Sequence, residues 1–114
     1  MSLKDKILQA NDISAEKMKV PEWGVTVEVR SMNGTQRARL MRDAYDATTE
    51  QVDWDYASLV IAGTYDPKTG EPIFSEENHD AINEKHGGVL ERLALRVLHL
   101  SGLTADALDE SKKN

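Results

Sequence analysis

Apolar and polar residues alternate with a period of two between positions 17 and 32. The apolar positions are Met18 and Val20 in a first run and Val25, Val27 and Val29 in a second. In a β-strand this period places all the apolar side chains on one face. The two runs are separated by Pro-Glu-Trp-Gly at 21–24, and proline and glycine favour a tight reversal. The pattern therefore predicts an antiparallel β-hairpin whose valine face is buried in the core.

A short amphipathic helix is predicted before the hairpin. Ser2 and Asp5 have the spacing of a capping pair, and the helix should end near Ala10. Its apolar face consists of Leu3, Ile7 and Leu8. Because so short a helix is marginal by itself, we expect its apolar face to dock against the hairpin. The alternative is a frayed N-terminal arm.

A second helix should follow the hairpin and extend to about Ala47. Asn33 can cap it while the Gln36 side chain returns to the Asn33 backbone, and Thr35 is a rival cap. The predicted buried stripe consists of Leu40, Met41, Ala44 and Tyr45.

The segment 54–65 admits two interpretations, because a continuous apolar run has no diagnostic period. One is a helix that begins with a cap at Asp53 and extends to about Ala62. The other is a second hairpin, in which 58–65 faces 71–74 across a turn rich in proline and glycine. We favour the helix because Asp53 offers it a cap.

The C-terminal half has the clearest helical signals. Ser75 and the two glutamates after it begin a short helix. A longer helix follows, with an apolar stripe of Val89, Leu90, Leu93, Val97, Leu98 and Leu100. Ser101 and Gly102 should end it through a glycine C-cap. The sequence thus predicts a small single α+β domain over 1–103, with an N-terminal β-hairpin packed by several α-helices, a helix-rich C-terminal half, and a mobile acidic and polar tail over 104–114.

Composition and charge narrow the class of protein. Cysteine is absent, which excludes disulfides and thiolate sites and fits a reducing compartment. The sequence contains no apolar run of the ~20 residues that span a bilayer, and the N-terminus lacks a signal-peptide pattern. We therefore expect a cytoplasmic protein without a membrane partner. The net charge of −6 should repel a phosphate backbone, so nucleic acid is not an expected partner.

The sequence contains no recognisable catalytic constellation. His79 and His86 lie among acidic residues, but two helical turns separate them, which is a poor spacing for one metal ion. The serines lack the flanking glycines of a nucleophile elbow, and the glycine pair at 87–88 lacks the lysine and hydroxyl residue of a phosphate-binding loop. We predict a non-enzymatic protein with no catalytic residue, cofactor or metal site.

Two features suit contact with a protein partner. The first is a dense cationic group in an acidic chain, formed by Arg30, Arg37, Arg39 and Arg42. The second is Trp23 at the turn of the hairpin, because exposed tryptophans often anchor interfaces. The competing interpretations are an ordinary solvated helix face for the arginines, and a lid over the hairpin's own core for Trp23.

Several segments occur in a characteristic order. A short N-terminal helix precedes Val-Pro-Glu-Trp-Gly-Val-Thr-Val-Glu-Val-Arg at 20–30, and Met-Asn-Gly-Thr-Gln-Arg follows at 32–37. Asp-Pro-Lys-Thr-Gly-Glu-Pro-Ile-Phe-Ser-Glu-Glu-Asn comes at 66–78, then Leu-Glu-Arg-Leu at 90–93 and Leu-Ser-Gly-Leu at 100–103. Over nearly the whole chain this order resembles the tail assembly chaperone family of long-tailed bacteriophages and prophages.

The resemblance implies a non-enzymatic role in virion assembly. Proteins of this family bind the tape measure protein, keep it soluble, help tail tube subunits to polymerise around it, and are absent from the finished tail. The implied partners are the tape measure protein, the tail tube protein and further copies of the chain. The implied location is the cytoplasm of an infected or lysogenic bacterial host. The alternative is a small bacterial adaptor or regulatory domain that binds one folded protein.

Overall fold

The computed structural model describes residues 1–103, and over this range the chain forms five α-helices and five β-strands. In chain order these are α1 (Leu3–Gln9), β1 (Ala15–Val20), β2 (Val25–Arg30), α2 (Gly34–Ala44), β3 (Tyr45–Asp46), β4 (Gln51–Val52), α3 (Tyr56–Gly63), β5 (Thr64–Tyr65), α4 (His79–Asn83) and α5 (Gly87–Leu100), with 3-10 turns at Pro21–Trp23 and Glu76–Asn78. The predicted α+β class is confirmed. The tail predicted over 104–114 lies outside the described residues.

The predicted hairpin is present as β1 and β2. The two strands pair antiparallel from Ala15 opposite Arg30 to Val20 opposite Val25. Gly24 closes the turn at φ +67°, a left-handed conformation that glycine adopts without steric cost. Strand β5 pairs with the other edge of β2 and completes a sheet of order β1-β2-β5.

Helix α5 is the centre of the core. It packs against both β2 and α3. The predicted stripe of α5 is buried except for Leu100, which is half-buried, and Ala94 joins it. The fully buried side chains around it come from the hairpin, from α3 and from α5 itself: Val20, Val29, Leu59, Val60, Val89, Leu93 and Val97.

Polar contacts hold the C-terminal end of α5. Gly102 adopts φ +77°, and the Leu103 N–H donates to the carbonyl oxygen of Leu98 at 2.7 Å, so the predicted glycine C-cap is present. The Ser101 hydroxyl accepts a hydrogen bond from the Met32 N–H at 2.9 Å, which ties the end of the helix to the end of the hairpin. Among residues 1–103, no helix combines the length and apolarity needed to cross a bilayer.

One predicted core residue is not buried. Val27 and Val29 lie in the core, but 48% of Val25 is exposed. Val25 shares their face of β2, yet it lies at the end of the strand that β5 does not reach. The alternation gave the correct face, but burial also requires a neighbouring element to cover it.

The predicted docking of α1 is wrong. The helix forms with the Ser2 side chain accepting a hydrogen bond from the Asp5 N–H, as its capping pair indicates. Leu3, Ile7 and Leu8 nevertheless remain 63–75% exposed, and α1 contributes no buried residue. Amphipathicity identifies the apolar face of a helix but does not show that the same chain covers it.

Helix α2 begins as predicted and ends earlier. Asn33 and Gln36 form a reciprocal capping box. The helix stops at Ala44 because the chain then forms the short β3–β4 hairpin, in which Glu50 has a positive φ of 58°. Tyr45, which was predicted to lie in the buried stripe, is 49% exposed because it belongs to β3.

The favoured helix between 54 and 65 is present as α3, but Asp55 rather than Asp53 caps it. The Asp55 carboxylate accepts a hydrogen bond from the Ala57 N–H at 3.1 Å. The strand interpretation applies to the last two residues of this segment, Thr64 and Tyr65, which form β5. Tyr65 also forms an isolated bridge with Pro72.

Candidate partner-binding site

Trp23 is half-buried at the turn of the hairpin. Its ring packs against the hydrophobic core, in the manner of a lid. It also lines two surface grooves, and Phe74 lines both of them with it. The two aromatic side chains therefore lie at the junction of two apolar depressions.

The first depression, which we call the edge groove, lies where β2 and the segment after β5 diverge. Its volume is about 570 Å³. It is lined by Trp23, Gly24, Val25, Thr26, Val27, Asp66, Pro67, Lys68, Ile73 and Phe74. Val25 is 48% and Ile73 is 39% exposed, so the groove presents apolar side chains to solvent.

The second depression, which we call the helix groove, is smaller, at about 140 Å³. It is lined by Trp23, Phe74, Asn78, Ala81, Ile82 and Lys85. Its floor is Ile82 of α4, which is buried. A side chain inserted here would contact the Trp23 and Phe74 rings.

The four arginines do not share a common partner residue. The Arg30 guanidinium lies 4.0 Å from the centre of the Tyr65 ring and donates to Glu28 at 2.6 Å. The other three lie on α2. Arg39 pairs with Glu76 at 3.0 Å, Arg37 donates to the Ser101 carbonyl oxygen at 3.5 Å, and Arg42 is exposed near the end of the helix. None of the four lines the edge groove or the helix groove.

An ion pair beside Trp23 links the turn of the hairpin to α5. Glu22 accepts two hydrogen bonds from Arg92 of α5, at 2.9 and 2.7 Å. These hydrogen bonds lower the pKa of Glu22 to about 2 and raise that of Arg92. One turn further along α5, Arg96 pairs with Glu16 of β1. The sequence analysis had not connected these residues, because nothing local relates positions 70 or 80 residues apart.

The sequence analysis also missed Phe74 and Ile73 as groove residues. The signal was present in Pro-Ile-Phe at 72–74, an apolar run inside a segment that is otherwise polar. The hairpin alternative for 58–65 and 71–74 places this run in a strand, which predicts pairing and not exposure.

The closest arrangement to a catalytic one involves Asp55. The His79 Nε2 atom lies 2.5 Å from one Asp55 oxygen, and the Ser58 hydroxyl donates to the same oxygen at 3.0 Å. Both groups contact the carboxylate and not each other, so the geometry is that of a helix cap and not of a base activating a nucleophile. In the part of the chain that the structure describes, no three His, Asp or Glu side chains are arranged to hold a metal ion.

The Asp55–His79 pair should make stability depend on pH. Burial alone would raise the pKa of Asp55, but the hydrogen bonds from His79 and Ser58 outweigh it and lower that pKa. The hydrogen bond to Asp55 raises the pKa of His79. The pair's contribution is therefore present below the ordinary histidine pKa of about 6.5 and lost as pH rises through the raised value. It is likewise lost in acid, as pH falls from about 3.9 through the lowered pKa of Asp55.

We expect the loss of unfolding free energy in His79→Ala, measured by urea denaturation, to be largest between about pH 4 and 6.5 and to shrink towards pH 8. Asp55→Asn supplies the matched background, because asparagine is an equally good N-cap and cannot form the ion pair. In that background the effect of His79→Ala should depend less on pH, because only Asp80 then remains to raise the pKa of His79. An equally large pH dependence there would show that another group titrates.

The described residues form a small α+β protein whose surface carries two apolar grooves. Its structure is similar to that of the bacteriophage HK97 tail assembly chaperone, with a TM-score of 0.60 and 25% sequence identity. The similarity covers 87% of this chain and 98% of that one. No protein-family model matches the sequence, and no curated protein matches it. The structural similarity confirms the resemblance to the tail assembly chaperone family.

Proposed function

We propose that this protein is a non-enzymatic chaperone of bacteriophage tail assembly that binds the tape measure protein, its client. The observation that carries the proposal is the similarity to the HK97 tail assembly chaperone, which extends over most of both chains. It does not depend on a single motif, since helices, hairpin and helix-rich C-terminal half all contribute to the matched region.

The apolar grooves are consistent with such a role. A client with exposed apolar segments needs a partner that covers them, and grooves lined by aromatic and aliphatic side chains do this. Trp23 belongs to both grooves and is our proposed anchor, because buried aromatic side chains contribute much of the energy of protein interfaces. The arginines at 30, 37, 39 and 42 lie outside the grooves, so we expect them to affect the encounter rate and its salt dependence more than the final affinity.

The remaining parts of the proposal follow from the same family resemblance. The tail tube protein is a second partner, and copies of the chain associate along the client. The protein acts in the cytoplasm of the bacterial host and is absent from the finished virion. The net charge of −6 favours dispersal of a complex that would otherwise expose apolar surface.

Co-expression with the tape measure protein tests the proposal. Wild-type chaperone should keep the tape measure protein in the soluble fraction and co-purify with it. Trp23→Ala should reduce the co-purified amount, because it removes the side chain shared by both grooves. The measurement is the soluble yield of the tape measure protein and its ratio to the chaperone after affinity purification.

Trp54→Ala is the matched control for Trp23→Ala. Trp54 is also half-buried against the core, but it lines neither groove. Circular dichroism of both variants separates loss of binding from loss of folding. If the tape measure protein is equally insoluble with and without the wild-type chain, the chaperone proposal is wrong. Binding that both variants retain would instead leave the function standing and remove Trp23 as its anchor.

The adaptor alternative makes a different prediction about genetic context. A tail assembly chaperone gene should lie between a tail tube gene and a tape measure gene, whereas an adaptor gene of the host needs no such neighbours.

A further inference from the structure

The hydrogen-bonding direction of β2 can be worked out from one bond at its end. The Ser31 N–H donates to the Ser14 carbonyl oxygen at 2.9 Å, so Ser31 faces β1. Successive residues of a strand direct their backbone groups to opposite sides, and those two apart direct them to the same side. The odd-numbered residues of β2 therefore bond to β1, while Thr26 and Glu28 direct their N–H and C=O groups away from it.

On the side of β2 that faces away from β1, Glu28 is paired and Thr26 is not. Glu28 is opposite Tyr65 of β5, so the next outward-facing residue, Thr26, would be opposite position 67. That position is Pro67, which has no N–H to donate. The chain turns away there, with the Asp66 N–H donating to the Glu71 carbonyl oxygen at 2.9 Å. Among residues 1–103 no ladder partner remains for the outward-facing backbone of Thr26.

The edge groove opens at this gap in the sheet. Thr26, Pro67 and Lys68 all line it. Its apolar side chains, Val25 and Ile73, are the ones left exposed. The edge groove thus offers the N–H and C=O groups of Thr26 as a hydrogen-bond donor and acceptor. The apolar side chains of Val25 and Ile73 line the same groove.

We propose that the edge groove binds an extended segment of the client, which adds to the free edge of β2 at Thr26 as a short strand. This inference rests on the proposed function and specifies the conformation of the bound segment. A helix satisfies its own backbone groups and would leave Thr26 unpaired, whereas an extended chain supplies both a carbonyl oxygen and an N–H. The alternative occupant is an amphipathic helix that lays its apolar face in the groove.

Charges of both signs lie around the groove. Asp66 and Lys68 line it, and the strand register places Lys19 of β1 opposite Thr26. Both lysine side chains are exposed. Charge therefore does not select the segment, and the one that fits best has apolar residues at alternate positions.

Overlapping 20-residue peptides that cover the whole tape measure protein provide the probe. Binding to the full-length chain is measured by fluorescence anisotropy, and the tightest peptide is then synthesised with single N-methyl groups along its backbone. One N-methylated position should weaken binding about tenfold, because the methyl group removes the N–H that pairs with Thr26 and leaves the side chains intact.

Thr26→Pro tests the second hydrogen bond of the pair, in which the Thr26 N–H donates to a carbonyl oxygen of the peptide. The substitution removes the Thr26 N–H, which faces the groove, and leaves the hydrogen bonds between β2 and β1 intact. It should weaken binding of the same peptide about tenfold. Lys17→Pro is the matched control, because the register directs the Lys17 N–H to the outer edge of β1, where proline is tolerated. Lys17→Pro should leave binding unchanged. Ile73→Asp, at an exposed apolar position of the groove, is a second variant that does not alter the backbone.

The outcomes separate this inference from the proposed function. A peptide that binds equally well to wild type, Thr26→Pro and Ile73→Asp overturns the edge groove as its site. Loss of binding at most consecutive N-methylated positions, with side-chain anchors three or four residues apart, would show a docked helix and overturn strand addition, because each interior N–H of a helix bonds within the helix. Insensitivity to every N-methyl group would overturn strand addition as well. If the whole tape measure protein co-purifies but no peptide binds, strand addition is again wrong while the chaperone function stands. If neither binds, the proposed function itself fails.

Discussion

Leu93→Ala should lower the free energy of unfolding by about 2–5 kcal/mol. Leu93 is completely buried in the middle of α5, the helix that packs against both β2 and α3. Removing its side chain beyond Cβ loses apolar burial and leaves a cavity that the two neighbouring elements can fill only in part. Urea denaturation of the wild type and of the variant measures this loss. The two curves are fitted with the same slope of unfolding free energy against urea concentration.

Leu95→Ala is the matched control, because it makes the same chemical change two residues away on the same helix. Leu95 is 39% exposed, so its replacement should change stability by no more than about 0.5 kcal/mol. A loss below about 0.5 kcal/mol for Leu93→Ala would mean that α5 is not the centre of the core.

Gly63→Ala should destabilise the protein by about 1–3 kcal/mol, although alanine is normally the better helical residue. Gly63 is the last residue of α3 and is buried against α5. A Cβ atom added there would overlap both methyl groups of Val97, with the Cγ1 atom only 2.8 Å away. Because Val97 is itself fully buried, it has little room to move. The thermal midpoint and the urea midpoint should both fall.

A second substitution tests whether the Val97 methyl groups are the cause. In Gly63→Ala/Val97→Ala the overlapping methyl groups are gone, so the double variant should be more stable than the sum of the two single effects by about 0.5–3 kcal/mol. Gly87→Ala is the control, since a Cβ at that helical glycine meets no atom within 4 Å. It should be neutral or stabilise the protein by up to about 1 kcal/mol. Additive single effects would show that the α3–α5 contact is looser than the structure indicates.

The local features of this protein could be predicted from the sequence because short-range interactions determine them. The β-hairpin follows from a period of two and a Pro–Gly turn, the start of α2 from the Asn33–Gln36 capping box, and the end of α5 from the glycine at 102. Each depends on residues within a few positions of one another. The family resemblance was also readable, because it depends on the order of such segments along the chain.

Contacts between distant segments were decided only by the tertiary structure. The exposure of the apolar face of α1, the partial exposure of Val25 and the pairing of Glu22 with Arg92 all depend on which elements lie side by side. The sequence contained Pro67 and Thr26, but only the register of β5 against β2 places them at the same level of the sheet. Because Pro67 cannot continue the pairing of β5 with β2, the outward-facing backbone of Thr26 stays free. The edge groove therefore depends on two segments that are far apart in the sequence.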